Sequence, residues 1–356
     1  MKKTAKFTLL PLILALVLSA CASTSPANTS PVEELGVTHE GNRVWRINES
    51  DERGYAIAAY LVIPPTVSLD HLVVYPYKSG ELGSYKAKDA IVREIVMEGY
   101  GRYNEITRHC GAVSLFLVIP ETSNNFRHLE LDPWTLESND KYRHLDDQVD
   151  RLIAFTLDFL DTQLGISLPE RVDMVGYSGE GNFILRFALL HPQRLWCACA
   201  GGISWSPSLA TATLEGEELT YPLGIADIGR YSDDFDLEAW KAIRFFVDMG
   251  LKDDRGSYNH EQLEDMSWSR DWALDGEWEE IWKVFSQTFA KITDNAELVS
   301  FIDMGHEHNF SRHADFISEN DDESQPFTPV PTLEESLVLV SGETEWKRSV
   351  GFEWHD

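Results

Sequence analysis

Apolar and polar positions follow two rhythms along this chain. Short apolar runs recur at residues 55–63, 71–77, 112–119, 172–177, 196–203, 243–249 and 298–304, each of a length suited to a strand buried on both faces. From the third run onward, helical patterns intervene. The clearest places Leu145, Val149, Leu152, Ile153, Leu157, Leu160 and Leu164 on one face and stops at Gly165, because glycine just past the last apolar position is a helix stop signal. Strands alternating with helices predict an α/β domain with a mostly parallel central sheet and helices on both faces. The region before residue 65 differs, since 36–49 and 55–63 read as a leading β-hairpin.

The chain shows no internal repeat. About 320 residues follow the leader and tether described next, enough for one large domain with insertions. That domain is assigned to residues 36–320, with helical insertions at about 204–242 and 255–296. The first insertion carries Trp205, Tyr221, Tyr231 and Trp240, and the second Trp268, Trp272, Trp278 and Trp282. Tryptophans so spaced are expected to pack helices, with a roof over an active site as their second use. Residues 321–356 begin with an acidic surface loop, and 336–340 and 349–354 are expected to pair as a terminal hairpin.

The amino terminus belongs to targeting rather than to the fold. Lys2, Lys3 and Lys6 precede an apolar run from Phe7 to Val17, the pattern of an export signal over residues 1–20. Leu18-Ser19-Ala20-Cys21 resembles the lipobox of bacterial lipoproteins. The resemblance implies cleavage before Cys21, lipid on that cysteine, and attachment to the cell envelope. Ala22 is not the aspartate that retains such proteins at an inner membrane, so an outer-membrane address is expected. Residues 22–34, rich in Ser, Thr, Pro and Asn, read as a flexible tether, giving a lipid-plus-tether segment over 21–35.

Charge narrows the partners. The formal net charge is -29, and removing residues 1–20 takes away three lysines and no acids, giving -32. Such a body repels nucleic acid and anionic headgroups, so the expected membrane contact is through lipid alone. Of the four cysteines, three remain after Cys21: Cys110, Cys197 and Cys199. An odd number leaves at least one thiol unpaired in the chain. Cys197 and Cys199, alternating with alanines, share one face of a strand and read as core thiols.

The most informative segment runs from Val172 through Tyr177 to Ser178, Gly179, Glu180 and Gly181, then through Phe183, Ile184, Phe187 and Leu190 at helical spacing. Serine also caps helices for purely structural reasons. Here a strand precedes it and a helix follows, the context of a nucleophile elbow that lifts a hydroxyl above the sheet. A serine hydroxyl needs a base, and the base needs an orienting group. In the order expected of the elbow, an acid follows the next-to-last strand at Asp253, with Asp254 as its neighbouring alternative. The histidine follows the last strand at His306, with His308 as the alternative. The His306-Glu307-His308 spacing is not the His-Glu-x-x-His of a helical zinc site, and neither a metal nor a cofactor motif is found. The oxyanion donors are expected to be the N–H of Gly179 and, from the loop after an earlier strand, that of Tyr77 or Lys78.

With these residues in place, the chain from about Val44 to Asn309 resembles the α/β-hydrolase superfamily. The elbow helix running to His191-Pro192 and the Ala200-Gly201-Gly202 tract are similar to polyhydroxybutyrate-depolymerase-like esterases. The resemblance implies the α/β-hydrolase fold, a Ser178, Asp253 and His306 triad, and a small-molecule or polymeric ester as substrate. One departure stands out: the usual Gly-x-Ser-x-Gly has Glu180 at its last position, with the glycine displaced to Gly181. A non-catalytic binding lipoprotein and a serine peptidase on the same fold are the alternative expectations.

Overall fold

The computed structural model describes residues 30–77, 84–98, 104–120, 127–203, 208–253, 278–301 and 304–327. The chain divides into two units, Met1–Pro31 and Val32–Asp356. All elements below belong to the second. The leader, Cys21, Lys78, Asp254, Trp205, Trp268, Trp272 and the positions expected to form a terminal hairpin lie outside the described residues.

Four strands come first: β1 (Val32–Val37), β2 (Arg43–Ile47), β3 (Ala59–Ile63) and β4 (Val73–Tyr75). Helices α1 (Tyr85–Glu98) and α2 (Asn104–Cys110) lead to β5 (Ser114–Leu117), then short α3 (Arg127–Glu130) and α4 (Pro133–Glu137), then α5 (Leu145–Phe159). The central unit is β6 (Val172–Tyr177), α6 (Gly179–Leu190) and β7 (Leu195–Gly201). A two-residue ladder of β8 (Thr213–Leu214) and β9 (Glu217–Glu218) follows, with α7 (Leu237–Ala242) before β10 (Arg244–Gly250). Helix α8 (Trp278–Ile292), β11 (Ala296–Phe301) and α9 (Phe310–Asn320) complete the order.

The main sheet has nine strands in the order β1-β2-β3-β5-β4-β6-β7-β10-β11. β1, β2, β3 and β5 pair antiparallel in succession, and every pairing from β5 to β11 is parallel. The central strands β6, β7 and β10 are buried almost throughout, as continuous apolar runs covered on both faces should be. The two faces separate cleanly by alternation. Ala59, Leu61, Ile63, Val74, Leu115, Leu117, Phe245 and Val247 join α5 and α6 in one core. Tyr60, Val62, Val73, Tyr75, Phe116 and Phe246 join residues of α1 and α9 in the other. This is the period-2 alternation of strand side chains made visible.

Helix α5 buries Leu145, Val149, Leu152 and Ile153 and continues through one π-turn, Leu160–Leu164. It ends at Gly165, whose φ of 67° lets the Ile166 N–H return to the Leu160 carbonyl at 2.9 Å, the left-handed closure that glycine permits.

Three expectations are corrected. The tether is shorter than residues 21–35, because Val32–Leu35 lie in edge strand β1, bulged between Glu34 and Gly36; edge bulges of this kind discourage further pairing. The described part of the 204–242 insertion, residues 208–242, is mostly not helical. Glu215 and Gly216, at φ 52° and 92°, turn β8 into β9, a hairpin turn whose two central residues take positive φ, and α7 spans six residues. The acidic stretch after Glu319 is docked rather than simply solvated: Asp321 accepts from the Asp70 N–H at 2.8 Å, and Glu323 contacts His71 and Arg171.

The insertion aromatics among the described residues mostly pack. Trp240 lies 4.8 Å from Phe245 and 5.0 Å from Phe289, ring centre to ring centre, and Trp282 donates to Ser300 Oγ at 2.7 Å. Cys197 and Cys199 are buried free thiols on one face of β7, and the Cys110 thiol donates to the Ala314 carbonyl at 3.6 Å.

Candidate active site

Parallel strands place their carboxyl ends on one edge of the sheet, and β6, β10 and β11 bring Ser178, Asp253 and His306 to that edge. Ser178 sits between the last residue of β6 and the first of α6 with φ 62° and ψ -125°. A non-glycine residue at positive φ is strained by roughly 1–3 kcal/mol and persists where its surroundings over-determine it. Here they do. The Ser178 N–H donates to the Gly201 carbonyl at 2.8 Å, and its own carbonyl accepts from Asn182 at 3.1 Å. Gly179, as the first residue of α6, has an N–H with no carbonyl four residues back in the helix to receive it.

The displaced glycine has a geometric explanation. A Cβ on Gly181 would stand 2.9 Å from the Gly201 carbonyl oxygen, so the small residue needed for helix–strand contact is at this position. Glu180 is 1 % exposed and finds its room above the other flanking glycine. A Cβ on Gly176 would lie 2.5 Å from the Glu180 Cβ, and Glu180 Oε2 accepts from the Tyr177 N–H at 3.2 Å. The carboxylate is therefore folded back onto the strand end, in the first turn of α6, where the helix dipole favours it.

The acid and the histidine are joined by their backbones before their side chains meet. Leu251 N–H donates to the Phe301 carbonyl and Lys252 N–H to the Met304 carbonyl, each at 2.9 Å. A Cβ on Gly250 would overlap the Met304 and Gly305 carbonyls, so the two turns touch closely only because residue 250 is glycine. Across this contact His306 Nδ1 lies 2.6 Å from Asp253 Oδ2, a short charge-assisted bond. Asp253 is nearly buried and the His306 side chain is 19 % exposed, so the acid is held while the imidazole still reaches solvent.

The ring of Tyr177, next to Ser178, carries the histidine. It lies 4.8 Å from the His306 ring and 5.0 Å from that of His308. Gly202, at φ 51°, makes room for it, since a Cβ there would fall on the Tyr177 ring. His308 is buried and edges onto His313 at 4.8 Å, so His306, not His308, is the histidine paired with Asp253.

Tyr77 follows β4, the neighbour of β6, and so stands beside the elbow. Its N–H, expected as the second oxyanion donor, instead donates to the Tyr75 carbonyl at 2.9 Å in a tight turn. Burial, with the Glu180 charge added, pushes the Tyr77 hydroxyl well above its ordinary range. Lys78 lies outside the described residues.

Sequence reasoning missed a second buried acid–histidine pair behind the rim. His313 Nε2 lies 2.7 Å from Asp248 Oδ1, both almost without solvent exposure. Asp248 also accepts from the Gly202 N–H through its carbonyl at 2.8 Å. The pair thus backs the glycine that seats Tyr177. No local motif announces it, because the two residues are 65 positions apart. Two clusters of metal-ligand type occur among the described residues, His71-Asp173-Asp321 and Asp146-Asp147-His191. Neither includes a residue of the rim.

No protein-family model matches the chain. No curated protein matches it either. Solved structures with a similar course include poly(aspartic acid) hydrolase-1 from Sphingomonas sp. KT-1, at 12 % identity and TM-score 0.46 over 75 % of this chain and 94 % of that one. A poly(3-hydroxybutyrate) depolymerase, LpqC, from Bordetella parapertussis aligns at 13 % identity and TM-score 0.45 over 85 % and 95 %. Carboxyl esterase 2 from Tuber melanosporum aligns at 13 % and 0.42 over 84 % and 88 %. The strand order, the antiparallel lead-in to a parallel sheet, and a strained serine turn between strand and helix make this the α/β-hydrolase fold.

Proposed function

We propose that the protein is a serine hydrolase that cleaves carboxylic esters through an acyl-enzyme. The single observation that carries this reading is the Asp253–His306 bond at the rim that also holds the strained Ser178. In the proposed reaction His306 takes the Ser178 proton as the hydroxyl oxygen attacks the ester carbonyl. Asp253, on Nδ1, keeps the other ring nitrogen facing the serine and steadies the imidazolium as it forms. The Gly179 N–H, aided by the α6 dipole, receives the developing oxyanion. His306 then returns the proton to the departing alcohol, and water repeats the sequence on the acyl-serine.

Labelling with a fluorophosphonate probe tests the nucleophile. Wild type labels and Ser178→Ala does not; labelling that survives Ser178→Ala overturns the assignment. A panel of p-nitrophenyl esters beside aminoacyl anilides separates esterase from peptidase, and the expected outcome is ester turnover alone.

A second reading, a binding protein on the same fold, draws on the engaged Tyr77 N–H, which leaves one of two expected oxyanion donors turned inward. Absent labelling together with ligand capture by the purified protein would favour it. The lipid anchor is part of the proposal and rests on Leu18-Ser19-Ala20-Cys21. Among the described residues no helix is long and apolar enough to cross a membrane. Radiolabelled palmitate should enter wild type and not Cys21→Ser.

A further inference from the structure

The start of α5 and the end of α6 bring together three residues that the proposed hydrolase chemistry does not use. His191, at the C-terminal cap of α6, places Nε2 3.0 Å from Asp146 Oδ2 and 3.7 Å from Asp147 Oδ1. One atom from each residue lies within 4.8 Å of the others. Donors that share one zinc ion at about 2.0–2.2 Å stand roughly 3–4 Å apart, so the two measured separations are those of neighbouring ligands.

Proton bookkeeping within the protein does not close this cluster. The Nε2 proton serves Asp146 Oδ2, while Asp147 Oδ1, at 3.7 Å, lies beyond hydrogen-bond length and its Oδ2 is 3.9 Å from Arg151. Asp146 is 1 % exposed, and among the described residues its buried Oδ1 has no hydrogen-bond donor; an orphaned oxygen of this kind is costly in the interior. The approaching group is His144 Nδ1, at 3.8 Å, beyond hydrogen-bond length.

We propose that Asp146, Asp147 and His191 bind a divalent cation of the zinc class. The imidazole donor selects against calcium and magnesium, which take oxygen donors. Negative partial charge at the α6 C-terminus adds to the attraction. The Asp147 side chain is 45 % exposed, which provides the ion's route of entry and leaves room for water on the open side. Bound there, the ion ties the far end of the elbow helix to the start of α5. The proposal stands independently of the hydrolase reading.

The test uses the purified full chain, stripped with chelator, desalted and titrated calorimetrically with zinc chloride alone. The expected result is one zinc per chain at micromolar affinity or tighter, with a higher melting midpoint. Asp147→Asn should weaken binding at least tenfold while leaving the zinc-free midpoint unchanged, and His191→Gln should remove binding. His306→Ala should bind as wild type does. No zinc binding overturns the proposal. So does binding that survives both Asp147→Asn and His191→Gln, or that disappears in His306→Ala, since the ion would then sit elsewhere.

Discussion

The two ends of the sheet use the same residue types to opposite ends. At the carboxyl-end rim, His306 meets one acid through Nδ1, and among the described residues nothing engages Nε2. At the amino-end floor, His71 has both ring nitrogens taken, by Asp321 and Glu323 at 3.1 Å each, and its ring stacks on Trp196 at 5.5 Å. Arg171 and Arg244 flank the same indole at 4.2 and 4.1 Å. An acid–histidine contact is thus not in itself a sign of chemistry. Among the described residues, what separates the rim from the floor is a ring nitrogen with no recorded partner and partial exposure beside a strained serine.

The sharpest way to break this contrast is substitution at each end. Asp253→Asn should lower kcat by about 10⁴-fold, the scale of losing the orienting acid of such a triad, with little change in melting midpoint. A mild loss of activity would mean that the rim is not a triad. His71→Ala should do the reverse, leaving kcat near wild type and costing about 3 kcal/mol in denaturant unfolding, because it removes the imidazole from beside buried Asp173 and partly buried Asp321.

A smaller effect is expected at the elbow. Gly176→Ala drives a Cβ to 2.5 Å from that of Glu180 and should cost about 1–3 kcal/mol as an overpacked site. Adding Glu180→Gly should recover part of that loss; no recovery would show that the conflict is with the rest of α6.

The smallest effect concerns pH at the floor. Burial lowers the His71 imidazolium, but the bonds to Asp321 and Glu323 and the charge of Asp173 raise it overall. Burial pushes Asp173 up to about 7. Both groups hold more protons folded than unfolded, so their contribution to stability falls as pH rises. The His71 part is complete below its unfolded value and is lost as pH climbs through the raised folded one. Hydrogen exchange in residues 321–325 should therefore speed up more between pH 6 and pH 8 than the chemical rate explains, and His71→Gln should flatten that excess.

Much of the fold was legible in local pattern. The buried run Val172–Tyr177, the stop at Gly165 and the strand-to-helix turn at Ser178 all follow from neighbours in sequence, where periodicity and turn chemistry act over a few residues. The departure at Glu180 was legible as a departure, though its resolution was not. Only the folded chain shows Gly176 making room for Glu180 while Gly181 meets Gly201.

What the chain determined by itself was the set of strands and helices, their α/β alternation and the strained serine turn between β6 and α6. Tertiary structure decided the pairings. Asp248 with His313 and His71 with Asp321 join residues 65 and 250 positions apart, and the Tyr77 N–H turned to Tyr75 rather than outward. The physical reason is range. Backbone propensity and apolar rhythm are local properties, whereas the partner of a buried charge depends on which crossover carries a distant segment against it.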